Sequence, residues 1–135
     1  MITKERIEEQ KSARNNTSLH KALSPTNDER TLITALENLG KLPDGFDGNL
    51  FLPLLKHPSS DIRLLSVKNL GKMKDESFLD VVCEFARRES NTLVRREAIS
   101  TIGRMRTKKA IPILTEFLRD EDPKVVLQAI RALLC

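Results

Sequence analysis

The sequence contains neither tryptophan nor tyrosine, and its five phenylalanines make aromatic residues only 4% of 135. Carbohydrate grooves and base-stacking platforms usually depend on exposed rings, so the composition argues against both kinds of site. The longest uninterrupted apolar runs are three or four residues, far below the ~20 that a membrane-spanning helix needs. The N-terminal stretch MITKERIEEQKSARNN lacks the apolar segment of a secretory signal. We therefore expect a globular, cytoplasmic protein with no membrane partner.

Cysteine and histidine are equally scarce, with two of each. Two cysteines are too few for a disulfide scaffold, and no cluster of His, Cys and carboxylates has zinc-site spacing. Cys83 has no histidine beside it, so we interpret it as a small, semi-buried thiol rather than a nucleophile. The segment Asp-Gly-Phe-Asp-Gly at 44–48 lacks the later carboxylates of a calcium loop and predicts a turn. We expect no catalytic residue, no metal, no cofactor and no enzyme activity.

The chain does contain an internal repeat with a period of 31 or 32 residues. The segments 31–42, 62–73 and 94–105 align, and a fourth at 125–135 begins in the same way. A period of this length is typical of helical repeat proteins, in which each helix pair covers the apolar face of its neighbour. The sequence predicts an all-α fold, an α-solenoid of about three and a half repeats over residues 27–135. The recurring small residues are Ala35, Ser66, Ala98 and Ala129, and the recurring glycines are Gly40, Gly71 and Gly103.

Each repeat is predicted to contain two helices, because apolar residues recur at helical spacing in both of its halves. The first helix of each unit should end at its glycine, in the left-handed conformation that glycine favours. A second helix is predicted at 78–86 and 110–118, and residues 50–55 match only its last part. Polar residues that commonly cap helices precede the first helices: Asp28, Ser59 or Ser60, Asn91 and Asp122.

The repeats resemble HEAT repeats, specifically the short, PBS-lyase-type variety of about 30 residues. That family's pattern runs Asp-x-Asp-Pro-x-Val-Arg-x-x-Ala-x-x-Ala-Leu-Gly. The resemblance implies a non-catalytic scaffold that binds proteins, and sometimes nucleic acid, along an extended surface. It also implies a ladder of arginine and aspartate, which Val126 interrupts in the last unit. The matching residues are Ile62, Arg63, Leu70 and Gly71, then Val94, Arg95, Ala98 and Gly103, then Asp120, Asp122, Pro123, Val125 and Ala129.

The two ends of the chain differ from the repeats. Residues 1–26 are mostly polar and are predicted to form an N-terminal cap or a partner-binding segment that orders on contact. A polar helix is predicted at 4–14, and a short one capped by Thr17 is predicted to end before Pro25. The fourth unit stops after one helix. We interpret this as truncation of a longer protein, with a packing partner or self-association through the C-terminal helix as alternatives.

Basic residues recur in the turns that follow the first helices and predict a basic edge, which we define as Lys41, Lys72, Lys74, Arg104, Arg106, Lys108 and Lys109. Cations after a helix also offset its dipole, at ~0.3–1 kcal/mol each, which explains about one per turn. Residues 87–109 carry a net charge of +6, against +4 for the whole chain. We therefore expect any phosphate contact to lie here, with binding that weakens as salt rises.

A second basic column is predicted near the ends of the second helices, at Lys56, Arg87 and Arg119. The resemblance places second helices on the concave face, so these residues are candidates for ligand contact. The competing interpretation is pairing within each helix, of Glu84 with Arg87 or Arg88 and of Glu116 with Arg119. The candidate partner- or phosphate-binding residues are Lys56, Arg87, Arg88, Arg104, Arg106, Lys108, Lys109 and Arg119.

Three functions remain open at this point. The first is a protein-interaction scaffold, a module of a larger protein. The second is a nucleic-acid-binding module that targets a DNA- or RNA-acting enzyme through the basic edge. The third is a bilin-lyase-like protein, which only the repeat supports, since a tetrapyrrole pocket would ordinarily use the aromatic residues that are missing here.

Overall fold

The computed structural model describes Thr3 and residues 17–134, and this part of the chain contains helices and no strand. Residues 17–22 are helical (α1). Six further α-helices follow: α2 Glu29–Glu37, α3 Ser60–Lys72, α4 Leu79–Arg88, α5 Thr92–Arg104, α6 Ile111–Glu116 and α7 Pro123–Leu134. Short 3-10 helices lie at Gly48–Phe51, Pro53–Lys56, Glu76–Phe78, Lys108–Ala110 and Phe117–Arg119. The predicted all-α class is confirmed.

The helices form two layers. The first helix of each unit packs on the first helix of the next, in the order α2, α3, α5 and α7. The second layer covers the stack from one side: the Pro53–Lys56 segment contacts α3, α4 contacts α5, and α6 contacts α7. One continuous apolar core runs between the layers. The predicted helix pairs and solenoid are therefore confirmed, and each unit completes the core of its neighbour.

The four predicted caps are confirmed. The Asp28 carboxylate accepts from the Thr31 backbone N–H at 2.8 Å, and the Ser59 hydroxyl accepts from that of Ile62 at 3.5 Å. Asn91 accepts from two N–H groups at the start of α5, and Asp122 accepts from one at the start of α7. These contacts satisfy donors that a helix N-terminus would otherwise leave unpaired.

The prediction that the first helix of each unit ends at its recurring glycine is wrong. Helix α2 ends at Glu37, three residues before Gly40. Gly40 is left-handed, with φ 58°, but Gly71 and Gly103 lie inside α3 and α5. A Cβ on Gly71 would lie 2.7 Å from the Thr101 Oγ1, and one on Gly103 would lie 2.8 Å from the Ala132 Cβ. Both glycines are therefore points of close approach between stacked first helices. The left-handed residues after α3 and α5 are Lys74 and Arg106, each with φ 50°.

The second helix of the first unit differs from those that follow. It consists of two short 3-10 segments, Gly48–Phe51 and Pro53–Lys56, separated at Leu52. Pro53 has no N–H to bond a preceding turn, so a continuous α-helix is disfavoured there. The predicted turn at 44–48 is confirmed, with Gly45 left-handed at φ 76°. Phe51 and Leu54 are nonetheless fully buried, so the short segments still complete the core.

The N-terminal helix α1 packs on the first unit. Leu23 is buried in the core, and the Asn27 side chain donates to two carbonyls at the end of α1. This helix ends before Pro25, as predicted, but Thr17 lies within it rather than in front of it. The helix predicted at 4–14 lies outside the described residues.

Candidate functional site

A ladder of buried ion pairs ties the units together on one edge of the stack. The guanidinium of Arg63 pairs with both oxygens of Glu89 at 2.9 and 3.0 Å, and that of Arg95 pairs with both oxygens of Asp120 at 2.7 and 2.9 Å. Each arginine also donates to the loop before its own helix, Arg63 to the His57 carbonyl and Arg95 to the Glu89 carbonyl, both at 2.9 Å. Each arginine therefore connects the loop before its own helix to the corresponding loop of the next unit.

The ladder ends where the sequence predicts, because Val126 occupies the arginine position of the fourth unit. The sequence comparison identified Asp120 as a pattern residue but not Glu89, which fills the equivalent place one unit earlier. The signal was available, since Glu89 precedes Asp120 by one period of 31 residues.

The ladder carboxylates are more acidic than usual. Burial alone would raise the pKa of Glu89, but the hydrogen bonds from Arg63 and from the Asn91 backbone N–H hold it below its ordinary value. Burial opposes the shift at Asp120 in the same way, and there Arg95 and the Asp122 backbone N–H lower the pKa. Both carboxylates therefore stay ionised to a lower pH in the folded chain than in the unfolded one.

Acid should weaken this protein through the ladder. Because folding lowers the pKa values of Glu89 and Asp120 below their ordinary values near 4, their stabilising contribution is complete above about pH 5 and is lost progressively as the pH falls through those values and below them. We expect the urea midpoint to fall as the pH is lowered below about 5. An Asp120→Asn variant, less stable at neutral pH, should show a shallower acid decline. An identical pH dependence for the two proteins would contradict this assignment.

The predicted basic edge is partly a set of contacts between units. Lys72 Nζ donates to the Gly40 carbonyl of the preceding unit at 2.8 Å. The Arg104 Nη1 lies 3.1 Å from the place a Cβ on Gly71 would occupy, so it too reaches back by one unit. Its Nη2 lies 4.0 Å from Glu97 Oε1. Two of the candidate cations on this edge therefore have structural partners.

Three acidic residues from outside the +6 stretch at 87–109 pair with cations inside it. Arg87 pairs with Glu116, Arg88 with Glu84, and Arg95 with Asp120. Within residues 17–134, the stretch's cations that form no ion pair are Arg96, Arg106, Lys108 and Lys109. The local net charge of the sequence therefore overstates the positive field at this surface, and nucleic-acid binding stays a prediction.

The second basic column makes one contact that the sequence did not indicate. Arg87 Nε pairs with Glu116 Oε2 at 3.0 Å, which links α4 to α6 across neighbouring units. The predicted pair within α4 is confirmed only for Glu84 and Arg88, at 2.6 Å. The predicted pairing of Glu116 with Arg119 is wrong. Arg119 is exposed at the end of the Phe117–Arg119 segment, and the Glu116 carboxylate contacts Arg87 instead.

A groove lies between the Pro53–Lys56 segment and α4, with a volume of about 950 Å³. We call it the second-layer groove. Its lining is mostly apolar, and cations stand at its margin. It brings together two predicted candidates, Lys56 and Arg88, whereas Arg104, Arg106, Lys108 and Lys109 do not line it. Its lining residues include Leu52, Lys56, Val81, Phe85, Arg88 and Ser90.

The remaining sequence predictions concern single residues and α7. Cys83 is buried, as expected for a packed thiol, and burial raises its pKa. Three apolar side chains of α7 face outward: Leu127 is 46%, Ile130 41% and Leu134 81% exposed. Self-association through α7 stays a prediction. No group of metal-ligating side chains occurs among the described residues.

The stacked helix pairs, the shared core and the arginine ladder define an α-solenoid of short helical repeats. A family model for HEAT repeats matches residues 48–134, which is more than half of the chain. The chain belongs to the HEAT-repeat family, whose members are generally non-catalytic scaffolds for protein–protein interaction. No curated protein matches the sequence. Every helix in residues 17–134 is too short or too polar to cross a membrane.

The family match begins at residue 48, so α1 and α2 lie outside it. The structure nevertheless packs α2 on α3 in the same layer. The first unit is therefore a divergent repeat, and the second-layer groove lies at the junction between it and the first regular one.

Proposed function

We propose that this protein is a non-catalytic scaffold that binds a protein partner in the second-layer groove. The observation that carries the proposal is the difference between two equivalent junctions of the second layer. Between the second and third units, Arg87 and Glu116 form a bridge across the junction. The residues in the same repeat positions one unit earlier are Lys56 and Glu84, and they do not pair with each other.

This junction has no bridge because Glu84 pairs within its own helix. Its carboxylate pairs with Arg88, four residues later on the same helix. Lys56 is then left exposed, and within residues 17–134 its ammonium group has no ion-pair or hydrogen-bond partner. The apolar lining between them, Leu52 and Phe85, stays partly accessible to solvent. A groove of this volume that is largely apolar with a few polar groups is typical of a binding site.

Filling the groove should abolish partner binding without touching the core. Ser90 is exposed and lines the groove, so a Ser90→Trp side chain would occupy the space that a partner needs. A display library of protein fragments from the source organism would be selected on the wild-type chain. We expect the selected fragments to bind Ser90→Trp more than about tenfold more weakly, because the indole excludes them sterically.

The matched control is Ser77→Trp, which adds the same ring at an exposed serine that does not line the groove. It should retain the affinity of the wild-type chain, and circular dichroism should show both variants folded. Selected fragments that bind the two tryptophan variants equally well would place the interaction elsewhere and refute the proposal.

A further inference from the structure

The margin of the second-layer groove presents hydrogen-bond donors that the fold does not use. The His57 Nδ1 accepts from the Ser59 backbone N–H at 3.0 Å, so in the neutral ring the proton is carried by Nε2. His57 thus offers a donor in the groove, which Lys56 also lines. The side chain of Arg88 is 80% exposed, and its guanidinium has donors beyond the Nε that contacts Glu84.

The potential acceptors in the groove are already largely satisfied. Both oxygens of Glu89 accept from Arg63, and one also accepts from the Asn91 backbone N–H. The carbonyls of His57 and Pro58 accept from Arg63 Nη1. Glu84 is the remaining carboxylate, and its Oε1 is held by Arg88. The groove therefore offers more free donors than free acceptors, which suits a ligand rich in acceptors.

This inference rests on the proposed function: we propose that the partner segment is a peptide in which a large apolar residue lies next to an acidic one. The apolar side chain packs between Leu52, Val81 and Phe85. The neighbouring carboxylate is received at the margin by Lys56 and by the Nε2 donor of His57. Hydrogen bonds from charged donors to a carboxylate are stronger than neutral ones, so the acidic residue adds both affinity and orientation. Arg88 receives a second acidic residue or a peptide carbonyl.

A library of random-sequence displayed peptides would test the chemistry of the ligand directly. Selection on the full-length chain should enrich peptides that pair Leu, Ile, Met or Phe with a neighbouring Asp or Glu. Lys56→Glu should weaken their binding by about tenfold or more, because it replaces the attractive charge with a repulsive one. A peptide whose acidic residue is changed to lysine should regain affinity for Lys56→Glu, which a purely structural role of Lys56 would not produce.

Lys68→Glu is the matched control, because Lys68 is an exposed lysine outside the groove. It makes the same change in net charge and should leave binding almost unaffected. Enriched peptides that are blocked by Ser90→Trp but show no acidic preference would overturn this inference and leave the proposed function standing. Acidic peptides equally sensitive to both charge reversals would also overturn it, since their binding would be non-specific. Peptides indifferent to Ser90→Trp would refute the proposed function itself.

Discussion

Replacing Arg95 with alanine is expected to destabilise the fold by about 3–5 kcal/mol, the cost typical of removing one partner of a buried ion pair. The side chains of Arg95 and Asp120 are only 9% and 8% exposed, so the remaining carboxylate would be charged and largely out of water. The change would also remove the donor that bonds the Glu89 carbonyl. Urea unfolding monitored by circular dichroism would measure the loss.

Two further variants separate the buried charge from loss of a contact. Arg87→Ala removes a pair of the same chemistry whose side chains are 48% and 54% exposed, and it should cost less than about 1 kcal/mol. A double variant, Arg95→Met with Asp120→Asn, leaves no unpaired buried charge and can retain the acceptor for the Asp122 backbone N–H. It should be more stable than Arg95→Ala. Equal losses from Arg95→Ala and Arg87→Ala would show that the ladder does not stabilise the stack.

The ladder shows how much of the fold the sequence could predict. The resemblance to HEAT repeats indicated Arg63, Arg95 and the interruption at Val126, and residues one repeat apart in sequence do lie on neighbouring units of the solenoid. The partner Glu89 was not predicted, because the family's pattern has aspartate in this position. Its role depends on a side chain reaching across 26 residues of sequence, and helical periodicity carries no information about such a contact.

The sequence predicted the positions of some residues of the candidate site, but not the ion pairs that they form. Sequence alignment correctly placed Lys56 and Arg87 in equivalent positions, but equivalent positions do not form equivalent pairs. Glu84 has an arginine four residues later, whereas the residue four positions after Glu116 is Asp120. Glu84 pairs along its own helix with Arg88, whereas α6 ends at Glu116, and the Glu116 carboxylate pairs across the junction with Arg87 rather than with Arg119. One junction is bridged and the other stays open, and the groove results from that difference.

The net charge of +6 at residues 87–109 was counted along the chain, and this is why the positive charge at that surface was overstated. Three of the carboxylates that neutralise the stretch at 87–109 lie outside it: Glu84, Glu116 and Asp120. Exposed cations remain at Arg106, Lys108 and Lys109. Charge counted along the chain is thus a poor guide to surface potential in a fold whose ion pairs join successive units.

Gly71 was wrongly predicted to end a helix, and its position inside α3 leads to the expectation that Gly71→Ala destabilises the fold. In an unobstructed helix, replacing glycine with alanine stabilises by up to about 1 kcal/mol. At Gly71 we expect the opposite, a net loss of about 1–3 kcal/mol from overpacking. The added Cβ would lie 2.7 Å from the Thr101 Oγ1, which is buried and donates to the Val67 carbonyl at 2.9 Å. Thr101 cannot rotate away without breaking that hydrogen bond.

The control places the same substitution in a Thr101→Ala background. Removing Oγ1 leaves the Cβ at position 101 as the nearest atom of that residue, 3.4 Å from the added methyl group, which is ordinary van der Waals contact. Gly71→Ala should then be neutral or stabilising, because the one remaining tight contact, with Arg104 Nη1 at 3.1 Å, involves the end of a flexible side chain that can move. Urea unfolding of the four proteins measures this coupling. A stabilising effect of Gly71→Ala with Thr101 intact would mean that the glycine does not set the spacing between α3 and α5, and that the stack has room there for a side chain.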